Sequence, residues 1–223
     1  GKIRNSNSYM VLAQIEKAGG IPKYLGKLSD DFDTCFNEVK NALEQVDLLI
    51  TTGGVSVGDY DYLPAIYKKL GASVLFNKIA MRPGSVTTVA QFNQKLLFGL
   101  SGNPSACYVG FELFVRPCIH TYLFNEAPHL KRVSAILGEN FPKPNPFTRF
   151  VRGKIQYDEG KLTAIPAGFD KSSAVSSLAT TDAFIVLPGG TRKYEKGMLV
   201  DLLLIEDSEG SKWPWFDFVA SYK

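Results

Sequence analysis

What the 223-residue chain lacks narrows it first. It has three cysteines, Cys35, Cys107 and Cys118, odd in number, widely spaced and set in apolar patterns. That argues against a disulfide framework or a cysteine-based zinc site and fits buried packing in a reducing, cytoplasmic compartment. Its two histidines, His120 and His129, stand apart and offer no metal-ligand spacing. No window approaches the ~18 consecutive apolar residues of a membrane span, so the reading is a soluble protein with no membrane partner. Charge of one sign is scarce too. An excess of +3, from 25 Lys+Arg against 22 Asp+Glu, is too small to argue for nucleic acid, which calls for a basic face of clustered Lys and Arg. What remains is an ordinary globular composition, 45% hydrophobic and 21% charged, in a chain long enough for two domains with a core each.

The stretch around which the rest is organised is Thr51-Thr52-Gly53-Gly54-Val55-Ser56-Val57-Gly58-Asp59-Tyr60-Asp61. It follows a short β-rich run over 46–50 that suits a strand buried on both faces. Gly53 and Gly54 let the backbone turn and let a ligand lie against main-chain N–H groups, while Ser56 and Gly58 keep the loop small. A helix over 62–71 follows, with Pro64 in its first turn and Gly71 just past its end. Asp61 therefore sits at or near an N-cap, and both capping and chemistry are open to it. The G-x4-G spacing of Gly53 and Gly58 is not a nucleotide P-loop, because Asp59-Tyr60 stand where Lys-Ser/Thr would be needed. An acidic loop that handles phosphate needs a divalent cation or nearby bases.

In chain order, Asn5-Ser6-Asn7-Ser8 supply caps for a helix over 9–18, stopped by Gly19-Gly20. Residues 21–25 read as a weak strand that Pro22 confines to an edge. Asp30 and Asp31 precede a helix with Phe32, Phe36, Val39, Leu43 and Val46 at helical spacing, and first-turn acids are favoured there by the helix dipole. Strand-like runs follow over 73–79, 86–89 and 95–100. The first leads into a turn carrying the cations Lys78 and Arg82. The last breaks at Ser101-Gly102-Asn103-Pro104-Ser105, where Asn103 caps and Pro104 opens a long apolar helix that Pro117 kinks or restarts. Alternating strands and helices predict a three-layer α/β domain with a mostly parallel sheet, whose strand C-termini would gather Asp30, Asp61, Arg82 and Ser105 at one edge. From residue 125 prolines multiply and helical spacing disappears. Short strands near 132–137, 150–157, 161–166, 183–187 and 198–205 predict a small all-β barrel or sandwich. Residues 172–177 read as a polar loop, and a Trp-rich tail follows Asp207. The expected domains are 1–126, 127–206 and a tail over 207–223.

The loop 51–62, then Arg82-Pro83-Gly84, then Gly99-Leu100-Ser101-Gly102-Asn103-Pro104-Ser105 together resemble the molybdopterin molybdenumtransferase family, whose members include the E domain of gephyrin. The resemblance implies a transferase that inserts molybdate into adenylylated molybdopterin with release of AMP, the last step of molybdenum cofactor biosynthesis. It uses Mg²⁺ and works as a homodimer, in contact with molybdopterin adenylyltransferase. Carried over by position, Asp61 and Asp30 become the catalytic, metal-holding acids. Gly53, Gly54, Ser56, Gly58, Lys78, Arg82, Gly102, Asn103, Pro104 and Ser105 become substrate-binding, and Arg152 and Ser173 hold molybdate. Three departures stand out: Arg82 and Ser85 replace lysines, Ser101 stands where Pro is common, and the family's first strand with its Thr-Gly-Asp/Ser-Glu loop and two N-terminal domains have no counterpart. The chain is thus expected to be a fragment, inactive in isolation. A related adenylyltransferase shares the Thr-Gly-Gly loop, but the β domain argues against it. A non-catalytic dimerising scaffold of the gephyrin E-domain kind is the other alternative.

Overall fold

The computed structural model describes residues 6–53, 62–143, 146–158, 160–167, 178, 180–190, 193–207 and 209–215. They form two compact units: residues 1–79 with 84–111, and residues 80–83 with 112–223.

In the first unit, α1 (Ser6–Lys17) ends as Gly20 N–H bonds Ile15 O and Gly19 adopts φ +85°. No strand forms over residues 21–25, and Ile21 and Tyr24 are exposed. Pro22 offers no N–H, and none of the described strands hydrogen-bonds to this segment, so β propensity alone leaves it irregular. Next come α2 (Phe32–Gln45), β1 (Leu48–Thr52) and α3 (Leu63–Leu70), the last closed by Gly71 in the left-handed region at φ +73°. Then follow β2 (Ser73–Phe76), the two-residue β3 (Met81–Arg82), which belongs to the second unit, β4 (Thr88–Phe92), β5 (Lys95–Leu100) and α4 (Pro104–Gly110).

The four-stranded sheet runs β1-β5-β4-β2. Parallel pairing is realised between β1 and β5, whereas β4 runs antiparallel to both β5 and β2. The reason is local: Asn93 and Gln94, both at positive φ, join β4 to β5 directly, and a two-residue connection can join only antiparallel strands. Cys35, Val39 and Leu43 of α2 and Ile66 and Tyr67 of α3 share one core with Leu49, Ala90 and Leu97. Alternation turns Leu100 to the face opposite Leu97, where it meets Gly110 of α4 at 3.2 Å from an ideal Cβ position. Helices therefore cover both faces, giving three layers, and α1 packs on α4.

Beyond α4 the backbone widens into a π-helical turn (Phe111–Val115) before α5 (Arg116–Tyr122). Pro117 lacks the N–H that would bond Leu113 O, so the interruption falls at the proline anticipated to restart the helix. In the second unit come β6 (His129–Leu137), β7 (Thr148–Asp158), β8 (Lys161–Pro166), β9 (Ala183–Leu187), β10 (Leu199–Leu204) and β11 (Gly210–Ser211). The pairings β6/β8, β8/β7, β7/β9, β9/β10 and β10/β6 close a five-stranded ring, so the β part is a barrel rather than a sandwich. Closure leaves this ring no open edge. Every residue of β9 is buried, and Ile185, Leu187, Leu202 and Leu137 fill the interior. Gly153 is required on β7, since a Cβ there would lie 2.7 Å from Ile185 Cγ1. The short β3 adds to β7 in parallel, Met81 against Thr148 and Arg82 against Arg149. The tail packs on the barrel: Trp215 meets Phe150 and His129 edge-on, and Trp213 meets His129.

Candidate functional site

The feature that gathers sequence-singled residues is the C-terminal end of the parallel pair β1/β5. Thr51 lies opposite Gly99 and Thr52 opposite Leu100, and Gly53 N–H continues the ladder to Leu100 O at 2.9 Å. Gly53 then turns away at φ +81°, a conformation that costs an L side chain about 1–2 kcal/mol. From β5, Gly102 approaches so closely that a Cβ on it would stand 3.5 Å from Gly53 Cα and 3.9 Å from Gly53 N. Two backbones without side chains thus face each other where the ligand crevice of an open α/β sheet lies.

The β5 loop is held rigidly. Ser101 Oγ accepts from Asn103 N–H at 3.2 Å, and Asn103 Oδ1 accepts from the N–H groups of Ser105 and Ala106 at 3.1 and 3.3 Å. Asn103 is the N-cap of α4 and Pro104 stands in its first turn, as the sequence suggests, while Ser105 is buried. Gly53, Gly102, Asn103, Pro104 and Ser105 are therefore brought together.

Sequence reading missed one member of this cluster. Among four cap-forming residues, Asn7 looked like a cap. It lies instead inside the first turn of α1, buried, with Nδ2 donating to Gly102 O at 2.9 Å, 95 residues away. Its Oδ1 is buried with no hydrogen-bond partner among the described residues. No local pattern distinguishes Asn7 from Asn5, Ser6 or Ser8.

The two candidate acids have different standing. Asp31, not Asp30, caps α2: its carboxylate accepts from Thr34 Oγ1 and Thr34 N–H, which hold its pKa below the ordinary aspartate value. Asp30 is left out of that cap, exposed, with Lys27 Nζ at 3.7 Å. Asp61 lies outside the described residues, as do Gly54, Ser56, Gly58 and Ser173. The cap position of α3 falls to Tyr62, which makes no side-chain capping bond. Among the described residues no group of three His, Cys, Asp or Glu forms a metal cluster.

Of the cations, Lys78 is exposed in the loop after β2 of the first unit. Arg82 belongs to the second unit, exposed on β3 with its guanidinium 5.7 Å from the Phe147 ring centroid. Arg152 lies on β7, only 5% exposed, with interactions of its own. Burial raises the thiol pKa of all three cysteines, that of Cys107 to about 12, so none is poised as a nucleophile. Among the described residues no helix is long and apolar enough to cross a membrane.

Comparison with known proteins matches residues 1–121 to a family described as probable molybdopterin binding domain and residues 134–205 to the MoeA C-terminal region (domain IV). The chain is 66% identical over 215 residues to a molybdopterin molybdenumtransferase of Bacillus subtilis, covering 96% of this chain and 50% of that protein. It is 51% identical over 209 residues to the protein of the same name from Staphylococcus epidermidis, covering 93% and 50%. The chain thus spans about half the length of these curated relatives. Among solved structures it resembles a molybdopterin biosynthesis MoeA protein from Pyrococcus horikoshii, with TM-score 0.75 and 25% identity over 91% of this chain and 48% of the other. A molybdenum cofactor biosynthesis protein from Pyrococcus furiosus matches with TM-score 0.69 and 25% identity over 90% and 65%.

Proposed function

The chain belongs to the molybdopterin-binding family, among the molybdopterin molybdenumtransferases, and from that premise we propose that it forms part of the enzyme that inserts molybdate into adenylylated molybdopterin and releases AMP. The observation that carries the reading is the close approach of Gly53 and Gly102 at the ends of two parallel strands. With no side chain on either residue, a phosphate or pterin edge can lie against the main chain nearer than a Cβ would allow, although Gly53 N–H itself is spent on Leu100 O.

Cleaving a phosphoric anhydride while bringing in an oxyanion concentrates negative charge, so cations and fixed donors are needed. Lys78 and Arg82 are assigned to the substrate phosphates, and Gly53, Gly54, Ser56, Gly58, Gly102, Asn103, Pro104 and Ser105 to the substrate edge. Arg152 and Ser173 are assigned to molybdate; the depth of Arg152 suits a desolvated charge-assisted hydrogen bond. Asp30, not consumed by the α2 cap, and Asp61 are assigned to Mg²⁺. Their chemistry fits that ion, which keeps most of its waters and needs only one or two carboxylates beside substrate phosphates. Held by Asp30 and Asp61, Mg²⁺ would supply positive charge beside the substrate phosphates. Residues 1–126 act as the molybdopterin-binding part and 127–206 as the molybdate-holding part in this scheme, which we place in a cytoplasmic homodimer supplied by molybdopterin adenylyltransferase.

The test is AMP release from adenylylated molybdopterin, measured in the whole enzyme on addition of molybdate and Mg²⁺. Asp61→Asn should lower turnover by about 10²-fold or more with little change in melting temperature, because Asn matches Asp in size but carries no charge. Arg152→Ala should weaken the molybdate dependence by roughly 10-fold or more. Normal turnover and normal Mg²⁺ dependence in the first variant would remove Asp61 from the metal site, and unchanged molybdate dependence in the second would remove Arg152 from the site.

A further inference from the structure

We propose that Asn7 is a substrate-positioning residue whose buried Oδ1 accepts a hydrogen bond from a donor on the substrate's pterin or adenosine at the Gly53–Gly102 edge. The inference rests on the function proposed above and adds to it a residue of α1. Three observations carry it. Asn7 is 7% exposed, so its amide is nearly out of water. Nδ2 is committed to Gly102 O at 2.9 Å, and this fixes the orientation of the amide, since the flipped form would set two acceptors against each other. Oδ1 then remains beside the same loop, buried and without a donor among the described residues. Orphaned buried acceptors are rare because desolvating them without a partner is unfavourable, and ligand sites are where they persist. Capping does not account for the residue, because a cap bonds the first turn of its own helix, and Asn7 reaches instead to β5's loop.

The chemistry of the acceptor selects which part of the substrate it meets. Phosphate and molybdate oxygens are acceptors and would be repelled by Oδ1. The donors in adenylylated molybdopterin are the N–H groups of the pterin and, on the adenosine, the adenine N–H groups and the ribose hydroxyls. Asn7 therefore orients the pterin or the adenosine relative to Gly102, and the two halves can be told apart by experiment.

Binding of molybdopterin and of AMP is measured separately on the full chain, as wild type, Asn7→Ala and Asn7→Asp, with melting temperatures recorded alongside. In Asn7→Ala one of the two probes should bind about 5- to 10-fold more weakly, the loss of one hydrogen bond, while the other stays within about twofold. The sensitive probe identifies which half of the substrate Asn7 meets. Asn7→Asp keeps an acceptor oxygen, and its protonated carboxyl restores the donor to Gly102 O. Ionised, it opposes that carbonyl, so affinity for the sensitive probe should recover as pH is lowered through the carboxyl's raised pKa. Unchanged affinity for both probes in Asn7→Ala overturns the proposal. So does a parallel loss of both that follows a drop in melting temperature, which is the signature of a purely structural tie to Gly102; if Asn7→Ala does not fold, the absence of acid recovery in Asn7→Asp overturns it. A wild-type chain that binds neither probe overturns the proposed function as well.

Discussion

Gly53 and Gly102 face each other, yet adding one methyl group to each should have opposite consequences. At Gly53 the backbone has φ +81°, while a Cβ there would find its nearest neighbour, Gly102 Cα, at a comfortable 4.0 Å. The obstacle to Gly53→Ala is thus conformational rather than steric, and the left-handed region costs alanine about 1–2 kcal/mol. For a protein of this length that corresponds to a drop of roughly 2–8 °C in melting temperature. At Gly102 φ is not in the left-handed region, and the new Cβ would sit 3.5 Å from Gly53 Cα, an ordinary contact. Gly102→Ala should therefore leave stability within about 0.5 kcal/mol, or raise it slightly by restricting the unfolded chain. Its methyl group, however, stands between the two loops. If substrate lies against these main chains, losing one N–H contact there weakens binding by about 10-fold. The assay pairs a thermal melt with molybdopterin affinity for both variants. A Gly102→Ala protein that melts normally and binds normally would show that no ligand uses the gap. A Gly53→Ala protein that melts normally would show that the loop relaxes out of its left-handed turn.

Asn103→Ala should destabilise by about 1 kcal/mol because two N–H groups of α4 lose their acceptor, whereas Asn103→Asp should restore the melt, and equal losses for both would deny the cap. With its thiol pKa pushed from 9.0 to about 12, Cys107 at pH 8 holds roughly 10³-fold less thiolate than an exposed cysteine. Alkylation of Cys107 should be slower by a similar factor until denaturant is added, and rapid labelling of the native chain would contradict that burial. Because this folded pKa is raised, the corresponding stability is fully present below pH 9.0 and is lost as pH rises towards about 12. A Cys107→Ser chain should lose less stability over that interval, and the same alkaline decline in both proteins would assign it to other groups.

The parts of this molecule that could be read from sequence are those whose cause is local. Pro104 after Asn103, Gly71 after Leu70 and Gly19 after α1 mark helix ends because capping and left-handed φ depend on the residues in place. Pro117 marks the break in the long helix for the same reason. The direction of β4 was less accessible: the Asn93-Gln94 turn has no glycine, so the hairpin that makes β4 antiparallel carries a weak signal. Residues 21–25 have strand composition but pair with none of the described strands, and pairing is not a local property. At the site, glycines and cap residues were legible by type. Asn7 was not, because its importance lies in a contact made 95 residues away. The choice between Asp30 and Asp31 as the cap turned on which carboxylate reaches Thr34, a matter of one residue of phase.

The two-residue strand β3 has a consequence for how the protein can be taken apart. Residues 80–83 belong to the second unit, while 1–79 and 84–111 belong to the first, so the chain passes from one unit to the other at three points rather than one. A recombinant exchange between homologues at a single crossover near residue 111 would pair a barrel from one parent with a β3 from the other. The mismatch would fall on Met81 against Thr148 and Arg82 against Arg149. Sequence change in a four-residue loop of the α/β half is therefore tied to sequence change on a barrel strand more than sixty positions later, and a breeding scheme that treats the halves as interchangeable modules must carry that loop with the barrel.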